Sequence, residues 1–148
     1  MYFVDRKKIE EQLIYFDKMI GILKESSFQT ELQMLGLERL HHVFIESMID
    51  VGNSMIDGFI MRDPGSYEDI IEILSDEKVI STDNAVRLKE VVGMRKPLMQ
   101  EYVNLQHGAL EQNLQKNLSA LEQFPADIRK YLTQELGAVS AFLPDNHS

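Results

Sequence analysis

Apolar residues recur at helical spacing through almost the whole chain, and the interruptions carry the chemistry of caps and turns. Val4-Asp5 followed by Ile9 predicts a helix start, with Asp5 as N-cap and Val4 stapled to Ile9. Ile9, Leu13, Phe16, Ile20 and Leu23 then continue one apolar face to about Lys24. Ser26 and Ser27 interrupt it, and Thr30 with Gln33 three residues later forms a capping-box signature at the head of the longest pattern, which extends to about Phe59. Met61-Arg-Asp-Pro-Gly-Ser66 is a turn by chemistry, because Pro64 fixes its own φ and Gly65 accepts a positive one. Ser66 caps a short helix to about Leu74, and Ser81 caps another whose residues Leu88, Val91, Val92 and Met99 share a face. Leu110, Leu114, Leu118 and Leu121 form a further helix. Pro125, at an allowed first-turn position, opens a last one with Ile128, Tyr131, Leu132 and Leu136, unless these two are a single kinked rod. Gly137 suits a C-cap, and residues 143–148 have the polarity of a frayed tail.

No strand of useful length competes, and there is no internal repeat or low-complexity tract. The short connections favour antiparallel neighbours, so the expected fold is all-α: an up-and-down bundle of four or five main helices, one domain over residues 1–142. A chain of 148 residues that is 44% hydrophobic can bury one core.

On a helical wheel at about 100° per residue, Arg39, His42, Glu46, Asp50, Asn53 and Asp57 fall in one polar stripe of the long second helix. Leu40, Phe44, Met48, Val51, Met55 and Phe59 lie opposite it, and Ile45, Ile49, Ile56 and Ile60 lie beside it. Most of this helix therefore wants burial, and its narrow seam either faces water or lines a polar groove. His42, Glu46 and Asp50, at i, i+4 and i+8, have the spacing of metal ligands, but nothing supplies a second matching cluster, so no metal and no other cofactor is assigned. His41 and His107 are single histidines without an evident triad, and His147 falls in the tail.

The second constellation is Gly93-Met-Arg-Lys-Pro-Leu-Met-Gln-Glu-Tyr102. Pro97 deprives the carbonyl of residue 93 of its helical partner, so a kink near Arg95 is expected, eased by Gly93. Extrapolating the helix places Arg95 beside Leu88, Val91, Val92 and Met99 on the bundle-facing side, with Tyr102 two turns later on nearly the same face. A guanidinium there requires a charge-assisted partner, which Glu46 or Asp50 of the seam can provide. Such a pair can fix helix register without any catalytic role.

Net charge changes the list of partners. With 15 Lys+Arg against 24 Asp+Glu, the formal charge of -9 works against a broad, non-specific grip on nucleic acid or anionic lipid, so any RNA contact must be local. The absence of cysteine excludes disulfides and thiolate chemistry and fits a reducing compartment. The opening Met-Tyr-Phe-Val-Asp-Arg-Lys-Lys reaches charge by Asp5 and Arg6, unlike a signal peptide, and no apolar run approaches membrane-spanning length. A cytoplasmic location without membrane contact is expected.

At these residues the chain resembles the HepT-like family of the HEPN superfamily. The likeness includes the Leu37–Asn53 run, Gly65-Ser-Tyr-Glu-Asp69, and the leucine-rich helix ending at Phe124. That family's motif is an arginine, usually followed by asparagine, with a histidine five residues after the arginine and a tyrosine two further on. Here those positions hold Arg95, Lys96, Gln100 and Tyr102. The resemblance implies a helical homodimer whose motif residues meet in a cleft between protomers, where active members cut RNA without a metal. It further implies a toxin role opposed by a nucleotidyltransferase antitoxin that can adenylylate the motif tyrosine.

The departure at Gln100 matters chemically. Histidine can move a proton near neutral pH during 2′-hydroxyl attack, and glutamine cannot. Arg95 still offers bidentate hydrogen bonds to a phosphate, Gln100 can donate and accept, and Lys96 adds charge. The expected function is therefore a HepT-like domain that binds RNA, nucleotide or a protein partner at a dimer cleft, with ribonuclease activity weakened or lost. Arg95, Gln100 and Tyr102 are its motif residues, and Lys96, Glu46, Asp50 and Asn53 support them. An active metal-independent ribonuclease, with His107 as one conceivable substitute for the missing histidine, a non-catalytic oligomeric adaptor and a metal-dependent hydrolase are the alternatives.

Overall fold

A computed structural model describes residues 3–137; the expected frayed tail at 143–148 and the end of the expected domain lie outside them. The helices are α1 (Arg6–Glu25), α2 (Glu31–Gly58), α3 (Tyr67–Asp76), α4 (Thr82–Val92), α5 (Arg95–Gln100), α6 (His107–Lys116) and α7 (Leu118–Leu136), with a 3-10 turn at Tyr102–Asn104. They form an all-helical antiparallel bundle, and among the described residues there is no strand.

The caps form where the side chains dictate. Asp5 accepts from the Lys8 N–H, and Thr30 and Gln33 complete the reciprocal capping box. Ser66 and Ser81 accept from the N–H groups of Asp69 and Asn84. Helix α2 is the central rod and packs against α1, α3, α4, α5 and α6, while α7 closes the bundle over α1 and α4. The core joins these layers through Phe16, which meets Phe44 of α2 edge-on at 5.1 Å and Phe124 of α7 at 5.4 Å. Aromatic pairs of this kind contribute about 0.5–1.5 kcal/mol each beyond the area they bury.

Two breaks depart from the periodicity. The expected kink near Arg95 is a complete break: α4 ends at Val92, and Gly93 and Met94 turn the chain while donating to the carbonyls of Lys89 and Val91. Pro97 thus falls in the first turn of a new helix, where its missing N–H has no intrahelical partner to lose. The break resets the helical phase. Leu98 rather than Met99 enters the core, Met99 is 46% exposed, and Tyr102 leaves the helix for the 3-10 turn instead of following Arg95 on one face. The second break is at Asn117, not Pro125. Asn117 is fully buried, its side-chain amide donates to the Asn113 carbonyl, and its own carbonyl receives the Leu121 N–H. Pro125 lies buried inside α7, and Leu118, beside the break, is only partly buried. Ile60, expected on the flank of α2, lies past its end at φ 56° and is 77% exposed.

Gly52 marks the closest approach of α2 and α3, where an added Cβ would sit 2.3 Å from Ile70 Cγ2. Gly36 of the same helix has nothing within 4 Å. Gly52→Ala should therefore destabilise the fold by about 1–3 kcal/mol through overpacking. Gly36→Ala should stabilise it by about 0.5–1 kcal/mol by relieving a mid-helix glycine. Urea unfolding of both variants checks the pair, and shifts of equal sign would contradict this packing.

Candidate functional site

Helix α5 projects Arg95 back toward the polar seam of α2. Its Nε donates to Glu46 Oε2 at 2.8 Å, with the two side chains 30% and 34% exposed. This is the charge-assisted pairing expected for a half-buried guanidinium. The Glu46 hydrogen bond raises the arginine's pKa further above its ordinary value, against the opposing effect of desolvation. The guanidinium carbon also lies 4.4 Å from the centroid of the Tyr67 ring, at the start of α3. Arg95 is therefore held along one edge by a carboxylate and sits over the face of an aromatic ring. Its terminal nitrogens form no hydrogen bond among the described residues, so the arrangement can offer two N–H donors to an anion.

Apart from Glu46, no expected site residue forms a hydrogen bond with this arginine among the described residues. Lys96 is exposed and outside any ion pair among the described residues. Gln100 ends α5 with its side chain toward water, and Tyr102 is 67% exposed. On α2, Asp50, Asn53 and Asp57 are exposed, while His42 and Glu46 are half-buried. The seam therefore does both things its pattern allowed: its outer members meet water, and its inner members line a polar groove. That groove, about 330 Å³ between α1 and α2, is lined by Glu11, Tyr15, Arg39, His42, Glu46 and Asp50 among others. Partial desolvation there raises the Asp50 pKa, the neighbouring Glu46 charge adds to the rise, and Lys8 opposes it. Arg39 contacts His42 Nδ1 at 3.3 Å and Arg95 occupies Glu46, so the His42, Glu46, Asp50 spacing does not converge on a point; among the described residues no three such side chains are grouped to hold a metal.

His107 is committed elsewhere. Its Nε2 lies 2.6 Å from Glu38 Oε2, and Glu38 is eight residues, about 12 Å of helix rise, from the Glu46 that holds Arg95. The structure does not bring this histidine to the motif arginine.

Two residues escaped the sequence reading. Tyr67 was legible only as part of the Gly65-Ser-Tyr-Glu-Asp69 segment, since nothing local announces a ring that serves an arginine 28 positions later. His41 looked isolated and is fully buried, with its Nε2 2.9 Å from Asn113 Oδ1. The Asn113 amide nitrogen donates to the Glu90 carbonyl, so its Oδ1 must accept and His41 must be the Nε2–H tautomer. Burial pushes the His41 pKa down to about 4.

The fold defines the class first. A Shewanella oneidensis HEPN toxin, solved tri-AMPylated and in complex with an MNT antitoxin, superposes with a TM-score of 0.73 at 21% identity, over 82% of this chain and 96% of its own. At that identity the likeness is one of fold, and the fold is HEPN-like. A family model described as Ribonuclease HepT-like matches residues 9–128. A Bacillus subtilis (strain 168) relative, "Putative RNase YutE", is 47% identical over 143 residues, covering 96% of this chain and 99% of that one. A solved structure of YutE, described as a cytosolic protein of unknown function, superposes with a TM-score of 0.93 over 96% of this chain and all of its own. The chain belongs to the HepT-like ribonuclease family. No helix among the described residues is long and apolar enough to cross a membrane.

The buried His41 gives a signed pH dependence. Its folded pKa of about 4 lies below the ordinary 6.5, so the unfolded chain binds the proton first as pH falls. Stability should decline from pH 6.5 toward 4, and this one group should account for about 2 kcal/mol between pH 6.5 and 5. Urea unfolding at both pH values should show that increment in the parent protein and not in His41→Met; identical pH dependences would refute the assignment.

Proposed function

We propose that this HepT-like domain binds RNA at a cleft between two copies of itself, with Arg95 as the phosphate anchor and with cleavage weakened or lost because Gln100 occupies the motif-histidine position. The carrying observation is the state of Arg95: oriented through Nε by Glu46, backed by Tyr67, and with its terminal nitrogens uncommitted. A guanidinium so oriented suits two phosphate oxygens and gives up less freedom on binding than a loose side chain does. Lys96 adds local positive charge in a protein whose overall charge repels nucleic acid.

The dimer reading is supported by apolar exposure in the motif segment: Met99 of α5 and Val103 of the 3-10 turn after it are 46% and 81% exposed. A surface of this kind is suited to cover by a second copy. Asp50 and Asn53, further along the seam, are support residues of the same cleft. Tyr102 is accessible to a modifying enzyme, which is consistent with a nucleotidyltransferase antitoxin partner. A single domain acting in the cytoplasm completes this reading.

One observation favours a second reading. The 47% identical relative carries an RNase in its name, which supports ribonuclease activity; with Gln100 in place of the motif histidine, a group other than that histidine then moves the proton.

Labelled tRNA and mixed RNAs incubated with the protein in excess chelator separate the two. The parent protein should cut little or nothing. Gln100→His should raise cleavage by about 10²-fold or more, the usual worth of a positioned acid or base. Adding Arg95→Ala to Gln100→His should abolish the gain. Parent cleavage as strong as that of Gln100→His, lost on Arg95→Ala alone, would overturn the lost-activity reading in favour of the ribonuclease.

A further inference from the structure

The reading above leaves open why a tyrosine from a different helix lies against the motif arginine. Three constraints act on the Arg95 guanidinium. The backbone of α5 fixes its root just past the Gly93–Met94 turn. Glu46 fixes one edge through the 2.8 Å bond to Nε. That bond alone leaves the guanidinium free to pivot about the Nε–Oε2 line. The Tyr67 ring, 4.4 Å from the guanidinium carbon, opposes the pivot by offering its negative face to the cation.

The first turn of α3 is well placed to hold that ring. Ser66 caps the helix, and Arg62 braces Asp69 through two bonds of 2.8 and 2.9 Å. Glu68, next to Tyr67, comes within 3.8 Å of where a Cβ on Gly93 would stand, so the start of α3 abuts the turn that launches α5. Tyr67 is nevertheless 44% exposed, and the Arg95 side chain 30% exposed.

We infer that Tyr67 is a positioning residue of the motif site: its ring fixes the plane of the Arg95 guanidinium so that both terminal nitrogens point together at the two non-bridging oxygens of one RNA phosphodiester. This rests on the RNA-binding reading for its function, but the contact itself is independent of that reading. Tyr67 needs only its ring for this role, so phenylalanine serves and an aliphatic side chain does not. It acts through Arg95 rather than by stacking on a base.

Two measurements on the intact protein test it. In the ligand-free protein, NMR should find the Arg95 side-chain Hε and Hδ resonances moved upfield by the ring, the shift surviving Tyr67→Phe and vanishing in Tyr67→Leu. Unshifted resonances in the parent protein would overturn the inference whether or not RNA binds. With a labelled single-stranded oligoribonucleotide, Tyr67→Leu should weaken binding about 3- to 10-fold, as expected for loss of a partly exposed cation–π contact. Tyr67→Phe should restore it, and Tyr67→Leu should cost nothing further in an Arg95→Ala background. A Tyr67→Leu effect that persists without Arg95 would mean direct base stacking and would refute the positioning role. Unchanged affinity in Tyr67→Leu, where Arg95→Ala does weaken binding, would refute it while leaving the RNA reading intact. If Arg95→Ala binds as well as the parent protein, the RNA reading fails, and with it the functional half of this inference, and the resonance shifts alone decide the contact.

Discussion

A long helix buried around most of its circumference needs a partner from elsewhere in the fold for each polar side chain that points inward. Helix α2 sets this constraint for the whole molecule. Its apolar residues draw α1, α3, α4, α5 and α6 around it. Its inward polar residues then decide how the later elements sit: Glu38 takes His107, His41 takes Asn113, and Glu46 takes Arg95. The first two attach α6 and the third attaches α5, so the second half of the chain is registered on the first by three polar contacts, of which that of His41 is buried and the two ion pairs are half-buried.

The candidate site is a by-product of that registration. Glu46 belongs both to the groove between α1 and α2 and to the Arg95 contact. The same carboxylate that satisfies a structural demand therefore also orients Arg95, the proposed phosphate anchor. A half-exposed ion pair contributes little net stability, so its worth is directional rather than energetic. Pro97 contributes to the same end. By breaking the helix, it starts α5 on a new phase that sends Leu98 inward and leaves Met99, Gln100 and Tyr102 at the surface.

Membership of the HepT-like family and departure from its motif are compatible in these terms. The scaffold depends on core spacing, caps and the α2 contacts, none of which involves Gln100. On the reading proposed above, cutting depends on a proton carrier at that position, which glutamine is not. On that reading, fold and phosphate anchor persist where the reaction is weakened, because different residues are responsible for each.

Much of the architecture was local and hence legible from residue order. Asp5, Thr30, Ser66 and Ser81 each cap the helix their side chains announce, because a cap is a contact spanning only three residues. The burial of α2 and the need of Arg95 for an acid on it followed from helical phase. Phase is reliable only within an unbroken helix, which is why Met99 and Tyr102 were assigned to the wrong face once Pro97 had interrupted it. The break at Asn117 was missed because a buried asparagine that bonds to the turn before it has no signature as plain as proline's. The choice of Glu46 over Asp50, the ring of Tyr67 against Arg95, and the pairing of His41 with Asn113 join residues 28 to 72 positions apart. Contacts at that range depend on where whole helices come to rest, a balance of core packing against polar satisfaction that only the assembled tertiary structure decides.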